Sequence, residues 1–168
     1  MTEKRVPDPT LMARLVLSIK GVEWAASLLA PHQHDTPPTG GWTPHQHLAH
    51  LLATEQEVHR ARLRAMLTGD QPIFSEWDQE EHMQAAYRPE GDITELAARL
   101  LAEREQTVEL LKPLSYEEWA RLGTWPDGRV VDVAWVAERT LRHGLEHFVE
   151  LLTLHEEFEQ RHAPSWRD

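Results

Sequence analysis

A chain of 168 residues with 40% apolar and 27% charged side chains has the material for one folded domain, taken as residues 1–168, and not the makeup of a disordered segment. Lys and Arg number 17 against 28 Asp and Glu, leaving a formal charge of −11 that repels phosphate backbones and anionic lipid, so neither nucleic acid nor a membrane is an expected partner. The absence of cysteine excludes disulfides, zinc ribbons and a cysteine nucleophile. Residues 1–8 lack the apolar run of a signal peptide, and no stretch approaches the ~18 apolar residues of a membrane helix. A cytoplasmic protein is the expectation.

In chain order, Asp8-Pro9 is a helix-start signal, and Leu11, Leu15, Ile19, Val22, Ala26 and Leu29 recur at steps of three and four. This first helix stops at Pro31. Pro37-Pro38 and Gly40-Gly41 mark the loop that follows. Thr43 then caps a second helix, with Pro44 at its first position, Gln46 completing a T-x-x-Q capping box and Trp42 placed as a hydrophobic staple. Its apolar stripe runs through Leu48, Leu51, Leu52, Val58, Leu63 and Met66 to a stop at Gly69. Ser75 to Tyr87 predicts a short polar helix over the bundle's end. Asp92 opens a third long helix carrying Ile93, Leu96, Leu100, Val108 and Leu111. Ser115 and Glu118 form a second capping box, Pro126-Asp127-Gly128 is a turn, and Asp132 caps a fourth long helix that Pro164 closes. Four amphipathic helices without a strand pattern predict an all-α four-helix bundle with short extra helices in the connections. The long connection between the second and third long helices does not require an up-down-up-down order.

The chain has 11 histidines, and the question is which of them converge. His143 and His147 are four apart on the last helix, roughly 40° apart around its axis and about 6 Å along it, so both imidazoles can reach one ion. Pairs at this spacing also occur by chance on exposed faces. His50 lies among Leu48, Leu51 and Leu52, where it reads equally as a third ligand or as a core histidine bonded to a carboxylate. Three histidines from two helices would leave an ion with open positions. His47 falls at the rim. Glu55, about 140° round the helix from His50, fits a structural or supporting hydrogen bond rather than a ligand. Glu146 is read as a solvated acid; His32, His34, His45, His59, His82, His155 and His162 are expected at the surface. Trp24, Trp42, Trp77, Trp119 and Trp135 are expected in core and helix-end packing. Tyr87, Asp132 and Arg139 could contact a substrate, though nothing singles them out. Phosphate-loop, dinucleotide, serine-hydrolase and di-iron signatures are absent.

Trp42-Thr43-Pro44-His45-Gln46-His47-Leu48-Ala49-His50-Leu51, with Glu55 after it, resembles the W-[ST]-P-x-x-x-L-x-H-L-x-x-x-x-E stretch of the DinB/YfiT-like superfamily. Leu114-Ser115-Tyr116-Glu117-Glu118-Trp119 and His143-Gly144-Leu145-Glu146-His147 resemble two further segments of it, in the same order. The resemblance implies a four-helix bundle, often a homodimer, with Zn²⁺, Ni²⁺ or a similar divalent ion on a triad that falls on His50, His143 and His147. It also implies a metal-dependent enzyme acting on a small molecule. Its members include transferases using low-molecular-weight thiols, and others described as metal-dependent hydrolases. A non-enzymatic metal- or ligand-binding stress-response protein is the third expectation. His47 departs from the pattern, which has an aliphatic residue there.

Overall fold

The computed structural model describes residues 7–161. His162 and Pro164 lie outside them. Helix α1 spans Leu11–Leu29, α2 Pro44–Thr54, α3 Arg60–Thr68, α4 Gln79–Ala86, α5 Ile93–Leu111, α6 Tyr116–Trp119 and α7 Val133–Arg161. A five-residue π-helical segment, Glu55–His59, joins α2 to α3, so the predicted second helix is continuous but locally widened. The local signals act as read. Gln46 N donates to Thr43 Oγ1 (3.2 Å) and Thr43 N to Gln46 Oε1 (2.8 Å), closing the capping box. Ser115 and Glu118 repeat it, and Asp132 Oδ1 accepts from Trp135 N at 2.7 Å. These contacts satisfy N–H groups that a helix start leaves without partners.

Two expectations change. Only the second half of the stretch from Ser75 to Tyr87 is helical, because Asp78 caps α4 through Glu81 N (3.0 Å). The chain before it is drawn out along a small hairpin, β1 (Leu122–Thr124) paired antiparallel with β2 (Val130–Asp132) about the Pro126-Asp127-Gly128 turn. Phe74 N donates to Thr124 O and Thr124 N to Pro72 O. The sequence pattern of these three-residue strands is too short to register as a strand.

Side-chain pairings fix the directions of the long helices. An added Cβ at Gly144 would lie 3.1 Å from Ser18 Oγ, and one at Gly21 3.1 Å from the Phe148 ring, so α1 and α7 run parallel and in close contact. Gln33 meets Ile93 while Leu15 O meets Arg104, so α5 runs against α1. His45 N bonds to Gln33 O near the start of α5, and Glu55 bonds to Arg104 and Thr107, so α2 runs with α5. The order is thus up, down, down, up. Two successive long helices pointing the same way require the chain to return along the bundle, which is why the connection holding α4 is long.

The core is divided. One apolar cluster gathers Val22, Leu29, Leu48, Leu52, Leu100, Leu151 and Phe158; the other gathers Leu11, Leu15, Leu63, Leu111, Val136 and Leu141. Between them every long helix contributes buried polar groups: Ser18 from α1, Glu55 and His59 from the π segment, Arg104 and Thr107 from α5, Thr140 and His147 from α7. Arg104 donates through Nε and Nη2 to the two carboxylate oxygens of Glu55, both at 2.9 Å, and Thr107 Oγ1 donates to Glu55 Oε1 at 2.7 Å. Arg104 Nη1 reaches Leu15 O (3.0 Å) and Ser18 Oγ (3.2 Å). Glu55 is therefore the structural partner that its angle from His50 suggests. Among the described residues no helix is long and apolar enough to cross a membrane.

Candidate metal centre

The polar layer opens to one side between α2 and α7, and there the histidines meet. His50, His143 and His147 each offer a ring nitrogen within 4.8 Å of the others. His50 Nε2 and His143 Nε2 are 3.3 Å apart. His50 is buried, its ring tilted against Trp42 (4.9 Å between ring centres) and Trp77 (6.0 Å). His143 and His147 line a cavity of about 510 Å³, bounded also by Trp42, His47, Glu80, Arg139, Glu146 and Glu150. Gly40 and Gly41, both with positive φ, form part of its mouth.

Other groups surround the three. His59 Nε2 lies 3.3 Å from His143 Nδ1. His47 Nδ1 lies 3.2 Å from His147 Nδ1, whose other neighbour is Glu150 Oε2 at 2.7 Å. Burial is the main force on all five imidazoles, disfavouring their charged forms. With His147 and other nearby rings it lowers His50 to about 3. Burial lowers His47, His59 and His147 to about 4, although Glu150 opposes the shift at His47, Glu55 at His59 and Glu146 at His147. His143, enclosed by His59, His147 and His50, is held far below its ordinary value. The rings are neutral near pH 7, the form in which an imidazole nitrogen has a lone pair to give.

His59 is buried rather than at the surface. In a regular α-helix it would point half a turn away from His50, since nine residues turn the chain through roughly 900°. The wider π turns add about one residue to the coil and rotate His59 back toward His143. His45 is likewise buried, its Nδ1 2.9 Å from the Tyr87 hydroxyl. That contact takes Tyr87 away from the cavity, and helix capping takes Asp132. Arg139 does line the cavity, paired with the exposed Glu146 at 3.3 Å. His47 is at the rim, edge-on to Trp42 (5.7 Å), so the staple closes on an imidazole. Trp24 faces outward instead of joining the core, and Leu145 on α7 is exposed as well.

The site is thus a cluster of histidines beside a side cleft of a four-helix bundle. The DinB superfamily profile matches residues 15–151, and the chain belongs to that superfamily. Among solved structures it resembles YfiT from Bacillus subtilis, described as a probable metal-dependent hydrolase with an unusual four-helix bundle topology. The likeness has a TM-score of 0.72 over 90% of this chain and 94% of that one, at 19% identity, and concerns the fold. No curated protein matches the sequence.

Proposed function

We propose that this chain is a single-domain cytoplasmic enzyme that uses a divalent metal ion, held by His50, His143 and His147, to act on a small molecule bound in the cleft. One observation carries the reading: three imidazoles kept neutral by burial converge beside an open cavity that two of them, His143 and His147, line. The donor set fits such an ion. Tetrahedral metal–nitrogen bonds of about 2.0–2.1 Å put donor atoms about 3.3 Å apart, and His50 Nε2 and His143 Nε2 are 3.3 Å apart. Zn²⁺ and Ni²⁺ suit nitrogen donors of this kind. When bound, the ion supplies Lewis acidity that lowers the pKa of a thiol or water reaching its open side.

The remaining work falls to the chain. His59 and Glu150 hold the rings of His143 and His147 in place through their Nδ1 atoms, the partners that fix a ligand's orientation. Arg139 and Glu146 present a guanidinium and a carboxylate to a polar substrate. Transfer of a low-molecular-weight thiol to an electrophile is the leading reaction. A chain without cysteine takes its sulfur nucleophile from outside, and about 510 Å³ lies within the range of small-molecule sites. Hydrolysis is the second reading, favoured by Glu150, a half-exposed carboxylate that lines the cavity and can serve as a base toward water. YfiT's description as a hydrolase supports it too.

Metal content of untagged protein, measured with turnover of an electrophile in the presence and absence of a small thiol, tests these readings. Bound metal that falls in His143→Ala and turnover only with thiol are expected. Thiol-independent turnover would move the assignment to a hydrolase, and bound metal without turnover to a binding protein. Metal content unchanged in His143→Ala would overturn the triad. The resemblance further supports a homodimer, for which the outward-facing Leu17, Trp24, Leu145 and Val149 of α1 and α7 offer an apolar face.

A further inference from the structure

We propose that the same cleft holds a second divalent cation, on His47 Nδ1, His147 Nδ1 and a carboxylate oxygen of Glu150. This site goes beyond the triad and does not depend on it. The three atoms form a compact triangle: 3.2 Å between the two nitrogens, 2.7 Å from His147 to Glu150 Oε2 and 3.6 Å from His47 to the same oxygen. Those edges bracket the ~3.3 Å separation of donors around a tetrahedral ion with bonds of about 2.0–2.2 Å. A proton placed among the three atoms engages two of them, whereas a cation at their centre engages all three.

Two imidazoles and one carboxylate make a donor set used by catalytic zinc sites, with a further position left open. All three residues line the cavity. His47 is held edge-on by Trp42, and burial keeps its ring neutral, so its lone pair is available. Glu80 and Glu146 line the same cavity and add negative potential, partly offset by Arg139. Glu150 lies one turn beyond His147 on α7, at the (i, i+3) spacing that places two side chains on one face. His147 uses Nδ1 in this triangle and retains Nε2, so with both cations bound it would serve as a bridging imidazolate, its ring proton released to solvent. The residue that departs from the superfamily pattern, His47, then has a defined use: it converts a cleft with one ion beside it into one with a second ion at its rim. The second ion suits a substrate oxygen or carboxylate, so the expected substrates carry an anionic or chelating group.

Calorimetric titration of Zn²⁺ into metal-stripped, untagged full-length protein tests this, with circular dichroism confirming that each variant is folded. The wild type is expected to take two equivalents, and His47→Ala and Glu150→Gln one each. His143→Ala is expected to lose the other. A single equivalent that vanishes in His47→Ala but survives His143→Ala would support the rim site and overturn the triad. A wild type that binds only one equivalent, weakened but still stoichiometric in His47→Ala, would overturn the second site and leave His47 and Glu150 as supports of the first.

Discussion

At the scale of the residue, the cleft stores uncharged imidazole. His47, His50, His59 and His147 are held at about 3 to 4, below the ~6.5 of a free histidine, chiefly by burial. The unfolded chain therefore binds more protons than the native one whenever the pH lies below the free value. Stability of the metal-free protein is then fully present above about pH 6.5 and lost as the pH falls from there toward about 4. Each such ring contributes up to ~1.4 kcal/mol per pH unit in that window. Urea midpoints at pH 7.5, 6 and 5 should fall progressively, and a midpoint unchanged down to pH 5 would contradict the buried neutral cluster. Bound metal should be lost over that range only with unfolding, because protons compete for the native nitrogens only as the pH falls toward about 4.

Among elements, the joint between α2 and α3 carries the most consequence. The π segment gives up regular winding, and in return it turns His59 toward α7, while Glu55 at its start reaches α5. The Glu55–Arg104 pair, 1% exposed on both sides, links this segment to α5 and, through Leu15 and Ser18, to α1. Arg104 holds the Glu55 carboxyl below the usual carboxylate range even though burial pushes it up. Removing one member leaves the other charge buried without a partner, which costs about 3–5 kcal/mol. Glu55→Ala should lose stability on that scale in chemical unfolding, and a Glu55→Met/Arg104→Met double variant should recover most of it. A single variant that loses under about 1 kcal/mol would show that the pair does not lock the layer.

For the whole molecule, the parallel contact of α1 and α7 places a side cleft on one flank and an apolar strip on another. Leu17 and Val149 are each 62% exposed on that strip, and Trp24 stands against Phe148 with ring centres 6.5 Å apart. A second copy covering this face would bury the strip while leaving the cleft between α2 and α7 open to substrate. Light scattering should give twice the 19.4 kDa chain mass, and Trp24→Glu with Val149→Glu should halve it. A wild type at the mass of one chain would overturn the dimer.

Much of the bundle was legible because its signals are local. Capping boxes at Thr43 and Ser115, the stop at Pro31 and the apolar stripes all act within a turn or two of the chain, so the residues alone set where helices start, stop and turn their apolar sides. The spacing of His143 and His147 belongs to the same category. His50 needed a helix from elsewhere to face them, and the sequence supplied that only through resemblance. Arg104 and Glu55 stand on apolar stripes, Arg104 between Leu100 and Val108 and Glu55 one turn after Leu51, a pattern that marks buried charges seeking each other. His59 gave no such sign, because a π turn shifts the face of every residue beyond it. The direction of each helix, the divided core, the outward turn of Trp24 and Leu145, and the meeting of His47 with Glu150 were decided by tertiary structure alone. Each depends on which surface arrives opposite, and no short-range preference encodes that.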